Sequence, residues 1–90
     1  MRDHEFEWDD AKAERNVQEH DVTFEMAREA FSDPEFIDED DPDPDEERFK
    51  RICTRADALY VIVYTERGSR TRIISARRAD RHEQRRYYDR

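Results

Sequence analysis

The ninety residues read as one α+β domain: two helices, a three-strand meander and a closing helix. Three observations predict it. Phe24, Ala27, Ala30 and Phe31 form an apolar stripe at helical spacing behind Thr23, a residue suited to capping a helix. Three runs rich in β-branched and aromatic residues, about 48–55, 58–66 and 70–76, are separated by the two-residue joints Ala56-Asp57 and Gly68-Ser69. The chain then returns to helical composition from Ala79 to Tyr88, with Asp80 near the start.

Taken in order, Glu5 to Trp8 is a short extended piece, and Asp9 is placed to cap a helix running from Asp10 to about His20. That helix has little apolar content, so it is expected to pack by Ala11 or Val17 and leave much of its surface wet. The second helix ends at Ser32-Asp33-Pro34, because the residue before a proline leaves the helical region. Glu35 to Ile37 is a candidate short strand. Asp38 to Glu47 holds eight acids and two prolines in ten residues and is expected to be a solvated loop. It lacks the glycine and the spaced final glutamate of an EF-hand calcium loop. In the meander, LYVIVY is apolar on both faces, as a central strand covered on both sides must be. Gly68 suits the first position of a type II′ turn, whereas Ala56-Asp57 is poorer turn chemistry.

Charge is divided along the chain. Residues 1–47 hold 20 acids and 4 bases, residues 48–90 hold 5 acids and 13 bases, and the formal net charge is −8. An acidic total argues against indiscriminate polyanion binding, yet a basic face can still focus a local positive potential. Arginine outnumbers lysine 15 to 2, and its planar fork suits phosphate and carboxylate alike. There is no apolar run of membrane-spanning length, and MRDHEFEWDD lacks the apolar core of a signal peptide, so a soluble cytoplasmic protein without membrane association is expected. The single cysteine, Cys53, excludes an intrachain disulfide and falls mid-strand, where a buried inert thiol is expected.

If both joints are two residues long, the register follows. Thr65 lies between Arg48 and Arg72, Val63 between Lys50 and Ile74, and Val61 between Ile52 and Ala76. The other face carries the rows Phe49-Tyr64-Ile73, Arg51-Ile62-Ser75 and Cys53-Tyr60-Arg77. Arg48, Arg72 and the turn residue Arg67 thus gather at one rim, and Arg77 falls on the opposite face. Like charges so close need neutralising, either by carboxylates such as Glu47 and Glu66 or by an external anion such as phosphate. His20 has two open readings: a histidine favoured by the helix C-terminus, or a general acid or base. His4 and His82 are expected to be bystanders. The histidines and Cys53 give no metal-ligand spacing, and with one glycine in the chain there is no phosphate-cradling glycine loop. No cofactor is expected.

Three stretches, FEWDDAKAERNVQEHDVTFEMAREAF (6–31), DEERF (45–49) and VYTERGSRTRIISARRADRHEQRRY (63–87), resemble the BrnT family of toxins. The pattern Trp8, Asp9, Lys12, Asn16, His20 carries much of the likeness. Two departures are Asp21, where a glycine commonly follows the histidine, and Cys53, where a glycine is common. The resemblance implies a RelE-like fold over 1–90 and a type II toxin–antitoxin ribonuclease that stops translation. It also implies a partner, a BrnA-like ribbon-helix-helix antitoxin that binds operator DNA, so that the toxin meets that DNA only through a hetero-oligomer. RNA cleavage of this type needs no metal: a 2′-hydroxyl attacks the adjacent phosphorus, cations stabilise the phosphorane, and an acid protonates the leaving 5′-oxygen. The expected cations are Arg67, Arg72 and Arg77. The base is His20 or a carboxylate, Glu47 or Glu66. Lys12, Arg48 and Arg78 are expected to hold RNA, with Tyr64 stacking on a base. A non-catalytic module that docks an acidic antitoxin segment remains the alternative.

Overall fold

The computed structural model describes all of residues 1–90. Its elements are β1 (Phe6–Glu7), α1 (Asp10–His20), α2 (Phe24–Ala30), β2 (Ile37–Asp40), β3 (Phe49–Arg55), β4 (Ala58–Arg67), β5 (Arg70–Arg78) and α3 (Arg81–Tyr88). The strands form one sheet in the order β1-β5-β4-β3-β2, antiparallel except where β1 runs parallel to β5. One face packs Phe24, Ala27 and Ala30 of α2 and the edge residue Ala13 of α1 against Tyr60, Ile62, Ile73 and Ala76. On the other face, Tyr87 of α3 covers Ile52, Leu59 and Val61. β4 therefore has apolar residues on both sides, which is why it reads as a continuous apolar run.

Each helix starts at a residue whose side chain satisfies a free backbone N–H. Asp9 accepts from Lys12 N at 3.0 Å, Thr23 from Met26 N at 3.0 Å, and Asp80 from Glu83 N at 2.8 Å. Glu83 returns the last bond to Asp80 N at 2.9 Å, completing a capping box. α1 ends on Asp21 at φ 57, ψ 33, the left-handed conformation that usually selects glycine.

Four expectations change. α1 does not pack by Ala11, which is exposed, or by Val17, which is 40% exposed; its buried residue is Asn16. The short strand forms at Ile37–Asp40, later than expected, because Asp38 and Glu39 find partners in Arg51 and Lys50 of β3. The acidic segment is accordingly a paired edge strand followed by a docked loop, not a wholly solvated one. The fourth change concerns register. β3 and β4 pair as expected, and so do β4 and β5 from Arg67↔Arg70 to Tyr64↔Ile73. A bulge then admits Ile74 as an extra residue, and the pairs become Val63↔Ser75, Ile62↔Ala76 and Val61↔Arg77. Arg77 moves to the face of Thr65 and Arg72, and Ala76 enters the core beside Ile62.

Both joints are two-residue loops. Gly68 takes φ 60 at the first position, as a type II′ turn requires, while Ala56 and Asp57 take φ 51 and φ 67 in a type I′ turn. A side chain at positive φ is strained at Ala56 especially. Replacing Ala56→Asn and Asp57→Gly together is expected to stabilise the domain by about 1 kcal/mol. A urea midpoint that does not rise would refute this.

Candidate active site

The free part of the α3-bearing face lies above the helix, where the rows of Thr65 and Val63 run. Arg48, one step before the Phe49↔Tyr64 pair, and Arg72, paired with Thr65, flank that threonine. Thr65 is buried and donates to Glu47 O at 2.6 Å. At the β5 edge, α1 stands alongside. Its buried Asn16 donates from Nδ2 to Ala76 O at 2.8 Å and to Val22 O at 2.8 Å, and its Oδ1 accepts from Ala76 N at 3.1 Å. Asn16 thereby takes the place of a neighbouring strand for Ala76, just past the bulge. This fixes Lys12 and His20, one turn to either side, against β5.

The outcome is a cleft of about 250 Å³ lined by Lys12, Arg15, Asn16, His20, Arg48 and Ser75, among others. Three residues singled out in the sequence, Lys12, His20 and Arg48, come together here. Arg15 was missed; its place one residue before Asn16 would have pointed to it had the burial of that asparagine been known. Lys12 and Arg15 are exposed and make no ion pair within 4.0 Å. Both cations are therefore free to receive an anion, whereas Arg48, on the other side of the cleft, is already paired with carboxylates. His20 is exposed, with Glu19 Oε2 at 3.9 Å its nearest carboxylate.

The remaining candidates are engaged or lie elsewhere. Arg72 donates to Glu7 Oε2 at 2.7 Å, and that bond is the main reason the Glu7 carboxyl sits below its usual range. Arg77 grips both oxygens of buried Glu83 at 2.7 and 2.8 Å; this holds α3 to the sheet and pulls the Glu83 carboxyl down to about 2. Arg67 is exposed at its turn, with Glu46 at 3.9 Å. Arg78 is exposed and sits over the Tyr60 ring at 5.8 Å. Glu47 is exposed, and Glu66, paired with Thr71, belongs to the α2-bearing face. Tyr64 is also on that face and is a core residue rather than a stacking platform. It is buried against Phe31 and Phe49 and donates to Asp38 Oδ2 at 2.8 Å, and burial pushes its hydroxyl up to about 12. Cys53 is buried, which likewise pushes its thiol up to about 12 and leaves it inert.

Internal carboxylates thus pair with most of the arginine cluster, while on the α1 side of the cleft Lys12 and Arg15 stay unpaired and Glu19 lines the same cleft. The His, Cys, Asp and Glu side chains form no group of three that could hold a metal ion. No helix is long and apolar enough to cross a membrane. No curated protein matches the chain. A family model described as the ribonuclease toxin BrnT of type II toxin–antitoxin systems matches residues 8–83. That span takes in the cap Asp9, the cleft and the six elements from α1 to β5, and the chain belongs to the BrnT ribonuclease toxin family.

Proposed function

We propose that the chain is a metal-independent endoribonuclease of RelE-like fold that cleaves RNA in the α1 cleft and so stops translation in the cytoplasm. The observation that carries this reading is His20 in one cleft with two unpaired cations, Lys12 and Arg15, and with Arg48. Lys12, Arg15 and Arg48 hold the scissile phosphate. His20 takes the proton of the 2′-hydroxyl as its oxygen bonds to phosphorus. The bond to the 5′-oxygen breaks, that oxygen takes a proton from water, His20 returns its own proton to solvent, and a 2′,3′-cyclic phosphate and a 5′-hydroxyl result. Charge stabilisation comes from side chains, so no divalent ion is required.

A toxin of this class has an antitoxin partner. We infer a BrnA-like ribbon-helix-helix protein that binds the toxin as a hetero-oligomer, lays an acidic segment over the cleft and alone contacts operator DNA. Arginines already paired with carboxylates also suit a non-catalytic docking module, and one assay separates the two readings. Purified protein is incubated with single-stranded RNA in EDTA. Cleavage should persist, and His20→Ala and Lys12→Ala should each slow it by about 100-fold with the melting temperature unchanged. Cleavage that stops in EDTA and returns with magnesium refutes the mechanism. Absence of cleavage together with tight antitoxin binding establishes the docking module.

A further inference from the structure

The acidic segment after β2 is not free of the site. Arg48 donates from Nε to Glu46 Oε1 at 3.0 Å, and its Nη1 lies 3.3 Å from Asp43 Oδ2. Glu46 also reaches Arg67, at 3.9 Å. Arg48 therefore has its fork turned towards carboxylates on one side while it lines the α1 cleft on the other. The segment adds nothing to either apolar core, and Pro42 and Pro44 are exposed. Its hold on the fold is the bond from Asp41 N to Arg48 O at 3.0 Å, the bond from Thr65 to Glu47 O, and the ion pairs to Arg48 and Arg67. A segment attached by backbone bonds at its ends and by a few ion pairs between them, its Asp43 and Glu46 side chains 21% and 28% exposed, has no apolar packing to lose on opening.

We propose that residues 41–47 are a built-in strap whose Asp43 and Glu46 carboxylates occupy the phosphate-gripping fork of Arg48, so that RNA must displace them to engage the whole site. This rests on the ribonuclease reading of the cleft. A carboxylate and a phosphate make the same paired bonds to a guanidinium, so each excludes the other. An arginine stays protonated with or without its carboxylate partners, so Arg48 is a competent cation as soon as the strap lifts. The strap lowers affinity without touching Lys12 or Arg15, which remain open to a first encounter with the strand.

The probe is a fully 2′-O-methylated single-stranded RNA oligonucleotide, which binds but cannot react. Asp43→Asn with Glu46→Gln should tighten its binding about tenfold. The salt dependence should steepen by about 0.7, one further phosphate contact. Asp40→Asn with Asp45→Asn removes the same charge from exposed positions that do not touch Arg48, and should tighten binding by less than about threefold. Adding Arg48→Gln to the first pair should erase its gain. Equal gains from the two pairs, or a gain that survives Arg48→Gln, overturn the strap and leave general repulsion in its place. Binding that needs Lys12 and Arg15 but ignores the strap variants overturns the strap alone. Binding indifferent to Lys12 and Arg15 as well overturns the ribonuclease reading together with it.

Discussion

Asn16→Ala is expected to cost about 3 kcal/mol or more of folding stability, the largest loss of any single polar side chain here. The reason is the number of backbone groups that depend on one carboxamide. Ala76 N, Ala76 O and Val22 O all bond to it, and all are buried where water cannot replace it. Asn16→Asp keeps the acceptor for Ala76 N but turns a donor into an oxygen facing two carbonyls, so it should be no better. Urea unfolding gives the loss, and hydrogen exchange at the Ala76 amide locates it. In whatever fraction stays folded, α1 should detach from β5 and cleavage should fall, since Lys12 and His20 are set by this helix. A loss below about 1 kcal/mol would show that α1 is held by something other than this residue.

Glu83→Gln is expected to lower stability by about 2 kcal/mol at neutral pH and to change the acid response of the fold. The side chain of Glu83 is buried and bonded to both forks of Arg77 and to Asp80 N. Its folded pKa is about 2, below the ordinary glutamate value near 4.5. The unfolded chain therefore binds this proton first. The ion pair's contribution is full above about pH 4.5 and is lost as pH falls towards 2. The glutamine variant lacks this titration, so the two melting curves should converge as pH approaches 2. Curves that stay parallel from pH 7 to 2 would mean that the Arg77 pair adds nothing beyond hydrogen bonds.

Much of the fold was legible because its signals are local. Asp9, Thr23 and Asp80 are cap residues in sequence and in space, and the two-residue joints fixed one complete hairpin and half of the next. The bulge was not legible. Ile73 and Ile74 are both apolar, and alternation alone does not reveal which of two adjacent isoleucines is extra. That one residue misplaced Ala76 and Arg77 and set Arg77 apart from Arg72. The site was half legible for a related reason. Lys12, His20 and Arg48 stood out by type, but their meeting depends on Asn16 bridging from α1 to β5, sixty residues along the chain. A polar residue in a polar helix gives no hint that it is the buried one. Tyr64 misled because an aromatic ring amid arginines suggests stacking, whereas its alternation with Ile62 and Ile73 places it inside.

The acids of β2 have a consequence for self-association. A sheet offers unpaired N–H and C=O groups along each outer edge, and a second copy can dock there strand to strand. β1 and α1 shield the β5 side. On the far side the margin is Asp38, Glu39 and Asp40, three carboxylates in four residues, with Asp38 and Asp40 exposed. Docking two such margins would set like charges about 5 Å apart along the whole contact. The strand whose carboxylates pair inward with Arg51 and Lys50 thus also acts as a gatekeeper, keeping a small, charge-rich β-sheet protein from growing into ribbons of itself.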